Sequence, residues 1–514
     1  MRRLIRLVVY LVIVVAVLFA AAAAALYVLL SGDRVRSAIE TQAAAALGRP
    51  VRIATATPTI FPRPSIDLGD VAIGDKREVT IGRVLVSTGL SALIHHRIEE
   101  ASITLERSTI DVRWAIALLA AMGSSPGGAA PPAGAAPAIV IDSIGRIALR
   151  DVTLVAGGRQ FDAAMDASLS GGDRFVVHRL SGRSDVSTFT ASGEISSLAA
   201  RRGAFTVDAE SMDLDGLLAF LVAATPAGAR SAGVAPAPVP AAAPVPVEID
   251  IAVKAAKGRA LGLTFTGLGT AAKVRGSNVR LDDLRMNVLG GHYAGAAAFR
   301  GGDPRSGRYE WRGSFQGIDV PQLVTFAGYP DAITGTLAGT VALAAAGVDA
   351  QQALRNARGS AALTITDGRV PGLEIVRSVI LAFGKPTGGH PGGSGEAFSR
   401  LSATLAVNGL ETSTNDLAFV SRDLDMNGSG RLSLATGSLD FRTDVILSRE
   451  LSAQAGRDLY RLAREGDRVV LPARITGTVS APTVFVDVQA ALGRALRNRA
   501  QDELRNLFDR LRKK

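Results

Sequence analysis

The sequence predicts a mainly β fold: an N-terminal transmembrane helix, a long curled antiparallel β-sheet with a few short helices, and a C-terminal amphipathic helix. Three observations favour this fold class. The chain of 514 residues begins with a long uncharged apolar run, most of the rest alternates apolar and polar residues between turn signals, and the last segment has apolar residues at helical spacing.

The first element is a membrane anchor. Residues 7–32 carry no charge, and a helix rising about 1.5 Å per residue over this length crosses a hydrocarbon core of about 30 Å. Three arginines precede it, which predicts a cytoplasmic N-terminus and the bulk of the chain across the membrane; in a bacterium that place is the periplasm. The anchor positions singled out are Leu7, Val15, Leu18 and Leu30.

A cleaved signal peptide is the alternative for the same segment. The alanines of 20–25 follow an apolar core at 7–19 and are small enough for signal peptidase. Apolar residues resume at 26–30, however, as in an uncut anchor, so the sequence favours an anchor that tethers the protein to the membrane once.

Two segments rich in Pro, Ala and Gly, 123–138 and 226–247, predict an extended loop and a linker, because such composition cannot pack a core. The expected organisation is therefore 1–32 cytoplasmic tip and anchor, 33–225 N-terminal β domain, 226–247 linker or loop, 248–488 C-terminal β domain, and 489–514 basic helix.

The C-terminal segment combines a basic surface with helical apolar spacing. Between residues 489 and 514, eight arginines and lysines stand against three acidic residues, and the whole protein has a net charge of +10. Such a helix docks on an envelope partner or an anionic membrane, or it caps the end of the sheet with a solvated face. The sequence leaves both open.

Composition and motifs argue against an enzyme. The chain has no Cys and five His, which excludes thiolate zinc sites, iron–sulfur clusters and cysteine nucleophiles. Gly384-Lys385 lacks the other residues of a phosphate loop, and the acids after Asp423 lack the final Glu of a calcium loop. We therefore predict no catalytic residue, metal or cofactor, and the diffuse basic charge predicts no nucleic-acid partner.

At several points the sequence resembles the AsmA family of bacterial envelope proteins. The resemblance follows the anchor through 47–51 (LGRPV), 61–64 (FPRP) and 66–71 (IDLGDV), and returns at 359–363 (GSAAL), 367–370 (DGRV) and 471–482 (LPARITGTVSAP). It implies a single-pass inner-membrane protein whose periplasmic sheet forms a β-groove, and which is similar to bridge-type lipid transfer proteins. It implies no catalytic residues.

Two function hypotheses follow. The first, which the resemblance implies, is phospholipid movement toward the outer membrane along the apolar side of the sheet; it is compatible with the requirement that an apolar sheet face be covered by protein or by lipid. The second is a non-enzymatic scaffold or assembly factor for outer-membrane proteins. A closed sandwich would show the same alternation and leave no groove. The candidate lining residues are Ile147, Leu149, Leu281, Leu284, Leu363, Ile365, Leu405 and Val407.

Overall fold

The fold is known from a computed structural model, which divides into two compact units, Met1–Gly276 (unit 1) and Ser277–Lys514 (unit 2). The structure describes residues 32–59, 63–89, 97–98, 100–116, 140–141, 143–224, 247–301, 307–347, 350–373, 375, 378–379, 395–454, 463–465, 467–487, 489–490 and 493.

Unit 1 contains two bounded helices, α1 (Gly32–Leu47) and α2 (Leu214–Ala224). Its strands are β1 (Val51–Thr59), β2 (Ser65–Ile73), β3 (Val79–Ser87), β4 (Arg97–Ile98), β5 (Ala101–Asp111), β6 (Val140–Ile141), β7 (Ile144–Ala156), β8 (Arg159–Ser170), β9 (Arg174–Arg183), β10 (Thr188–Ser197), β11 (Arg202–Asp213), β12 (Glu248–Ala260) and β13 (Leu263–Arg275).

Unit 2 contains the short helices α3 (Val320–Phe326), α4 (Ala350–Arg355) and α5 (Arg449–Gln454). Its strands are β14 (Asn278–Val288), β15 (Gly291–Arg300), β16 (Gly307–Asp319), β17 (Thr334–Gly347), β18 (Arg358–Val370), β19 (Glu396–Asn408), β20 (Glu411–Val420), β21 (Leu424–Ser433), β22 (Ser438–Leu447), β23 (Arg464–Glu465), β24 (Arg468–Thr478) and β25 (Ala481–Val486).

In unit 1 the strands pair in the order β1-β2-β3-β5-β7-β8-β9-β10-β11-β12-β13, while β4 and β6 form a separate parallel pair. The mainly β prediction is confirmed, but the sheet is not antiparallel throughout. The pairs β5–β7 and β11–β12 are parallel. The reason is that each pair is joined by a long connection, which a parallel crossover requires and which here begins with helical residues.

The core of unit 1 consists of every second residue of its first strands together with one face of α1. Ile39, Ala43 and Leu47 follow each other at intervals of four, so α1 buries one stripe, and they pack with strand residues such as Leu68 and Leu105. Part of the sheet's apolar face is thus covered by protein.

Helix α1 also covers the edge strand β1, whose one strand partner among the described residues is β2. The Ile53 backbone N–H donates to Glu40 Oε1 at 2.6 Å, and Arg36 donates to the Ala54 carbonyl at 3.4 Å. Backbone groups that would otherwise be open to another chain are therefore occupied.

The opposite face of the first strands holds paired charges. Arg83 donates to both carboxylate oxygens of Asp67. The Glu106 carboxylate lies between two arginines: its Oε2 is 3.7 Å from Arg83 Nη1, and its Oε1 is 3.7 Å from Arg150 Nη1. The hydrogen bond to Asp67 is the main reason that the pKa of Arg83 is raised. Solvent screens these surface pairs, so the core supplies most of the stability.

In unit 2 the strands pair in the antiparallel order β14-β15-β16-β17-β18-β19-β20-β21-β22-β24-β25, and the short β23 pairs with β24. Its main core lies on the later strands. One row of side chains crosses six strands there and is buried or half-buried: Ile365, Leu401, Phe419, Met426, Val445 and Leu471. Leu373, Ile375, Val379 and Ala463 belong to the same cluster.

Several predicted elements lie outside the described residues. These are the anchor at 7–32 apart from Gly32, the loop 123–138, nearly all of the linker 226–247, and the C-terminal helix apart from three helical residues. Within the described residues, no helix reaches the length and hydropathy that crossing a membrane requires. The predicted domain limits stay a prediction, although β11 and β12, which flank 226–247, pair with each other.

Candidate functional site

The candidate site is the apolar face of β14–β19 in unit 2, on which three rows of side chains cross all six strands. The Trp311 row consists of Leu281, Ala297, Trp311, Leu343, Gly359 and Val407. The Val341 row consists of Leu284, Gly295, Gly313, Val341, Ala361 and Leu405. The Tyr293 row consists of Met286, Tyr293, Phe315, Gly339, Leu363 and Ala403.

This face is only half-buried. Every residue of the Val341 row keeps intermediate exposure, and Trp311 in the neighbouring row is 44% exposed. The other side of the same strands is polar or small: the row behind it consists of Ala294, Ser314, Thr340, Ala362 and Thr404. The strands therefore have one continuous apolar surface that remains partly open to a ligand.

The polar atoms of the aromatic residues on this face are satisfied within the sheet. Trp311 Nε1 donates to the Tyr293 hydroxyl, and that hydroxyl donates to the Arg312 carbonyl at 3.1 Å. Burial raises the pKa of Tyr293, and the hydrogen bond from Trp311 acts against this shift. The pair thus presents ring surface rather than free donors, which suits an apolar ligand.

Two glycines of the Val341 row make room for the Tyr293 side chain. A Cβ at Gly295 or at Gly313 would meet the Tyr293 hydroxyl. The ring can therefore lie across β15 and β16 instead of standing away from the sheet, and this position brings it within 5.8 Å of the Trp311 ring. Glycine is needed here for close approach.

One side of the apolar face is closed by protein. Val320 at the start of α3 packs with Ile318 and Leu337, and both Leu363 and Ile365 pack against this cluster. Helix α3 begins there because the Asp319 carboxylate accepts the Gln322 N–H at 2.9 Å and Pro321 occupies the first turn. The Trp311 and Val341 rows lie farther along the strands.

Six of the predicted lining residues are on this face. Leu281 and Val407 are the two ends of the Trp311 row, and Leu284 and Leu405 are the two ends of the Val341 row. Leu363 and Ile365 follow each other on the same side of β18. Their contact with lipid stays a prediction.

Leu281 and Leu284 share the face although three positions separate them. In a regular strand this spacing puts two side chains on opposite sides. A β-bulge between them, with Asp283 at φ +51°, inserts one extra residue and restores the common side.

The other two predicted residues, Ile147 and Leu149, lie on β7 of unit 1. The six residues above lie on strands of unit 2, so no strand pairing within either unit joins the two sets. They are buried in the unit 1 core, where Ile147 is 2% exposed and pairs with Ile103, and Leu149 pairs with Leu105 and Met165. The candidate site therefore lies in unit 2.

Sequence reasoning missed Tyr293 and the aromatic residues of β16. The signal was present: Tyr309, Trp311 and Phe315 occur at even spacing in one strand, which puts them on one side. Within the described part of the chain, no group of three or more His, Asp or Glu could hold a metal ion.

The sequence model of the AsmA family matches residues 224–416 and supports the resemblance inferred from the sequence. The matched range includes β14–β19 and hence the whole apolar face. Neither the comparison with curated proteins nor the comparison with solved structures gives a match.

Proposed function

Since residues 224–416 match the AsmA family, we propose that this chain is a non-enzymatic lipid carrier that moves phospholipid along the apolar face of its sheet. The family and the open sheet are consistent with such a role. The observation that carries the proposal is the half-buried apolar face of β14–β19.

The energetics favour acyl chains as the ligand. Taking a methylene out of water is worth about 0.8 kcal/mol, so a chain of about a dozen methylenes gains on the order of 10 kcal/mol from an apolar surface. The Trp311 and Val341 rows offer side chains without free donors, so a headgroup would stay in water while the acyl chains lie on the rows.

The location in this proposal rests on the predicted anchor, and the direction of transfer rests on the resemblance to the AsmA family. In this proposal the chain is fixed once in the bacterial inner membrane, its sheet lies in the periplasm, and phospholipid moves toward the outer membrane. The basic segment 489–514 would contact an envelope protein partner.

The test uses two adjacent alanines on opposite sides of β18. Ala361 is half-buried in the Val341 row, whereas Ala362 is exposed on the polar side. We expect Ala361→Asp to slow transfer of a fluorescent phospholipid between donor and acceptor vesicles by about tenfold or more, because a carboxylate disrupts the apolar path. Ala362→Asp is the matched control and should transfer at the wild-type rate.

Mass spectrometry of lipid that co-purifies with the full chain is the second measurement. We expect phospholipid in the wild type and in Ala362→Asp, and less in Ala361→Asp. Circular dichroism and thermal unfolding establish that both variants fold. Equal transfer rates for the two variants, or the absence of co-purifying phospholipid in the wild type, would contradict the proposal. The scaffold hypothesis would then remain.

A further inference from the structure

Three large apolar side chains of unit 1 are exposed at one end of its strands, where β9, β11 and β12 end. Leu261, in the turn between β12 and β13, is 76% exposed; Val186, between β9 and β10, is 57% exposed; Leu214 follows β11 directly. The pairing of Thr188 with Ser211, and of Asp213 with Arg259, places these strand ends side by side. We call these three residues the Leu261 edge.

The backbone of Leu261 shows that an apolar side chain at this position has a cost. Its φ is +53°, in the left-handed region where Gly, Asn and Asp are tolerated and a leucine is strained. Leu261 is thus both strained and exposed, and it adds nothing to the core.

Hydrogen bonds fix the three positions relative to one another. The Asp215 carboxylate accepts the backbone N–H groups of Leu261 at 2.7 Å and Gly262 at 3.0 Å, and these bonds lower the pKa of Asp215. Ser187 Oγ accepts the Asp213 N–H at 2.9 Å, which ties the Val186 turn to the end of β11. The edge is therefore a rigid set of apolar projections.

The surroundings indicate what the edge contacts. Helix α2, which starts at Leu214, has Asp215 as its one charged residue. Arg259 lies two residues behind Leu261, or about 7 Å. Arg183 pairs with Thr188 and the Ser184 N–H donates to the Ser187 carbonyl at 2.8 Å, so Val186 at the tip of this turn also lies about two residue steps, or about 7 Å, beyond Arg183. These lengths match the depth of about 5–10 Å to which interfacial segments enter a bilayer.

Both arginines are exposed, and Arg259 Nε is 3.9 Å from Asp215, whose oxygens already accept the two turn N–H groups. Guanidinium groups at that depth lie level with lipid phosphates. Asp185 beside Val186 is also exposed, so the Val186 turn enters less deeply than Leu261. Apolar side chains that project separately from neighbouring strand ends suit a fluid surface better than a shaped protein partner.

We propose that the Leu261 edge inserts into the surface of an anionic phospholipid bilayer and gives unit 1 a membrane contact of its own. This contact is separate from the predicted anchor and from the apolar face of unit 2. It does not depend on lipid transfer.

The experiment uses the absence of cysteine in the chain. The full chain carrying Leu261→Cys, labelled with an environment-sensitive fluorophore, is incorporated into vesicles of phosphatidylethanolamine and phosphatidylglycerol that contain a nitroxide on the acyl chains. We expect the label at Leu261→Cys to show a blue-shifted emission and severalfold stronger quenching than the same label at Ala199→Cys. Ala199 is an exposed position in the turn between β10 and β11, at the opposite end of the strands.

A second variant keeps the turn intact. Asn tolerates the left-handed conformation, so Leu261→Asn should fold at least as well as the wild type. With the label at Val186→Cys, introducing Leu261→Asn should weaken the quenching by acyl-chain nitroxide. This readout follows insertion and would not change if Leu261 had only a structural role.

Three outcomes would overturn the proposal: equal quenching at Leu261→Cys and Ala199→Cys, undiminished quenching in the Leu261→Asn chain, or efficient disulfide dimers of Leu261→Cys, which would make a second copy of the chain the occupant. None of them bears on the Ala361 and Ala362 transfer assay, so the two proposals can fail separately.

Discussion

Tyr293 is the residue on which the apolar face of unit 2 depends most. Its ring lies over two glycines, and its hydroxyl joins Trp311 to the Arg312 carbonyl. A hydroxyl on an apolar surface is acceptable only while it is protonated and hydrogen-bonded. The raised pKa of Tyr293 expresses the same requirement.

The Tyr293→Phe variant tests this requirement. At neutral pH it should lower the free energy of unfolding by about 0.5–1.5 kcal/mol, because Trp311 loses its acceptor. Since the native pKa is above the unfolded value of about 10, the hydroxyl's contribution is complete below pH 10 and declines as the pH rises beyond it. Urea unfolding at pH 8 and pH 10.5 should show the wild type approaching the variant. A difference that is constant with pH would contradict this explanation.

At the scale of the element, strand β1 shows how an edge is kept from pairing with another chain. Glu40 on α1 accepts the Ile53 N–H, so a helix rather than a strand occupies this backbone group. The same helix buries Ile39 and Ala43 in the core, which fixes its position over the edge.

We expect Glu40→Ala to destabilise unit 1 by about 1–3 kcal/mol, because a partly buried N–H loses its acceptor. The uncovered edge should also promote self-association. Chemical denaturation and light scattering measure the two effects. Glu40→Gln keeps an acceptor oxygen and is the control, and equal behaviour of the two variants would show that the hydrogen bond is not responsible.

The elements also show how far the sequence predicts this molecule. Alternation correctly predicts strands and puts Leu363 and Ile365 on one side, because side-chain direction follows from strand geometry alone. It cannot distinguish Ile147, which the core of unit 1 covers, from Leu405, which stays half-buried, because coverage depends on distant parts of the chain. The alternation of apolar and polar residues likewise predicts neither the parallel strand pairs nor the bulge at Asp283.

At the scale of the whole molecule, each compact unit has its own core and its own reporter. The chain has two tryptophans, Trp114 in unit 1 and Trp311 in unit 2. Trp114 packs against the unit 1 core, and Trp311 lies on the apolar face of unit 2. The fluorescence of one unit can therefore be followed by replacing the tryptophan of the other.

Leu105→Ala is the variant for this scale, since Leu105 is fully buried in unit 1. We expect a loss of about 2–5 kcal/mol in the unfolding of unit 1, as for other large-to-small core changes. In the Trp311→Phe background, the transition reported by Trp114 should move to lower denaturant. It should move less in the Trp114→Phe background, where unit 2 is reported. A larger shift of unit 2 would be incompatible with separate cores.

The bulge in β14 has a consequence for how the length of this strand can vary. Removing one residue from a regular strand moves every later side chain to the opposite face of the sheet, so that apolar side chains then face solvent. Deleting Asp283 instead leaves the two leucines two apart, which is already the spacing of a regular strand. At Asp283, therefore, a one-residue deletion arising in evolution leaves Leu281 and Leu284 on the same side of β14.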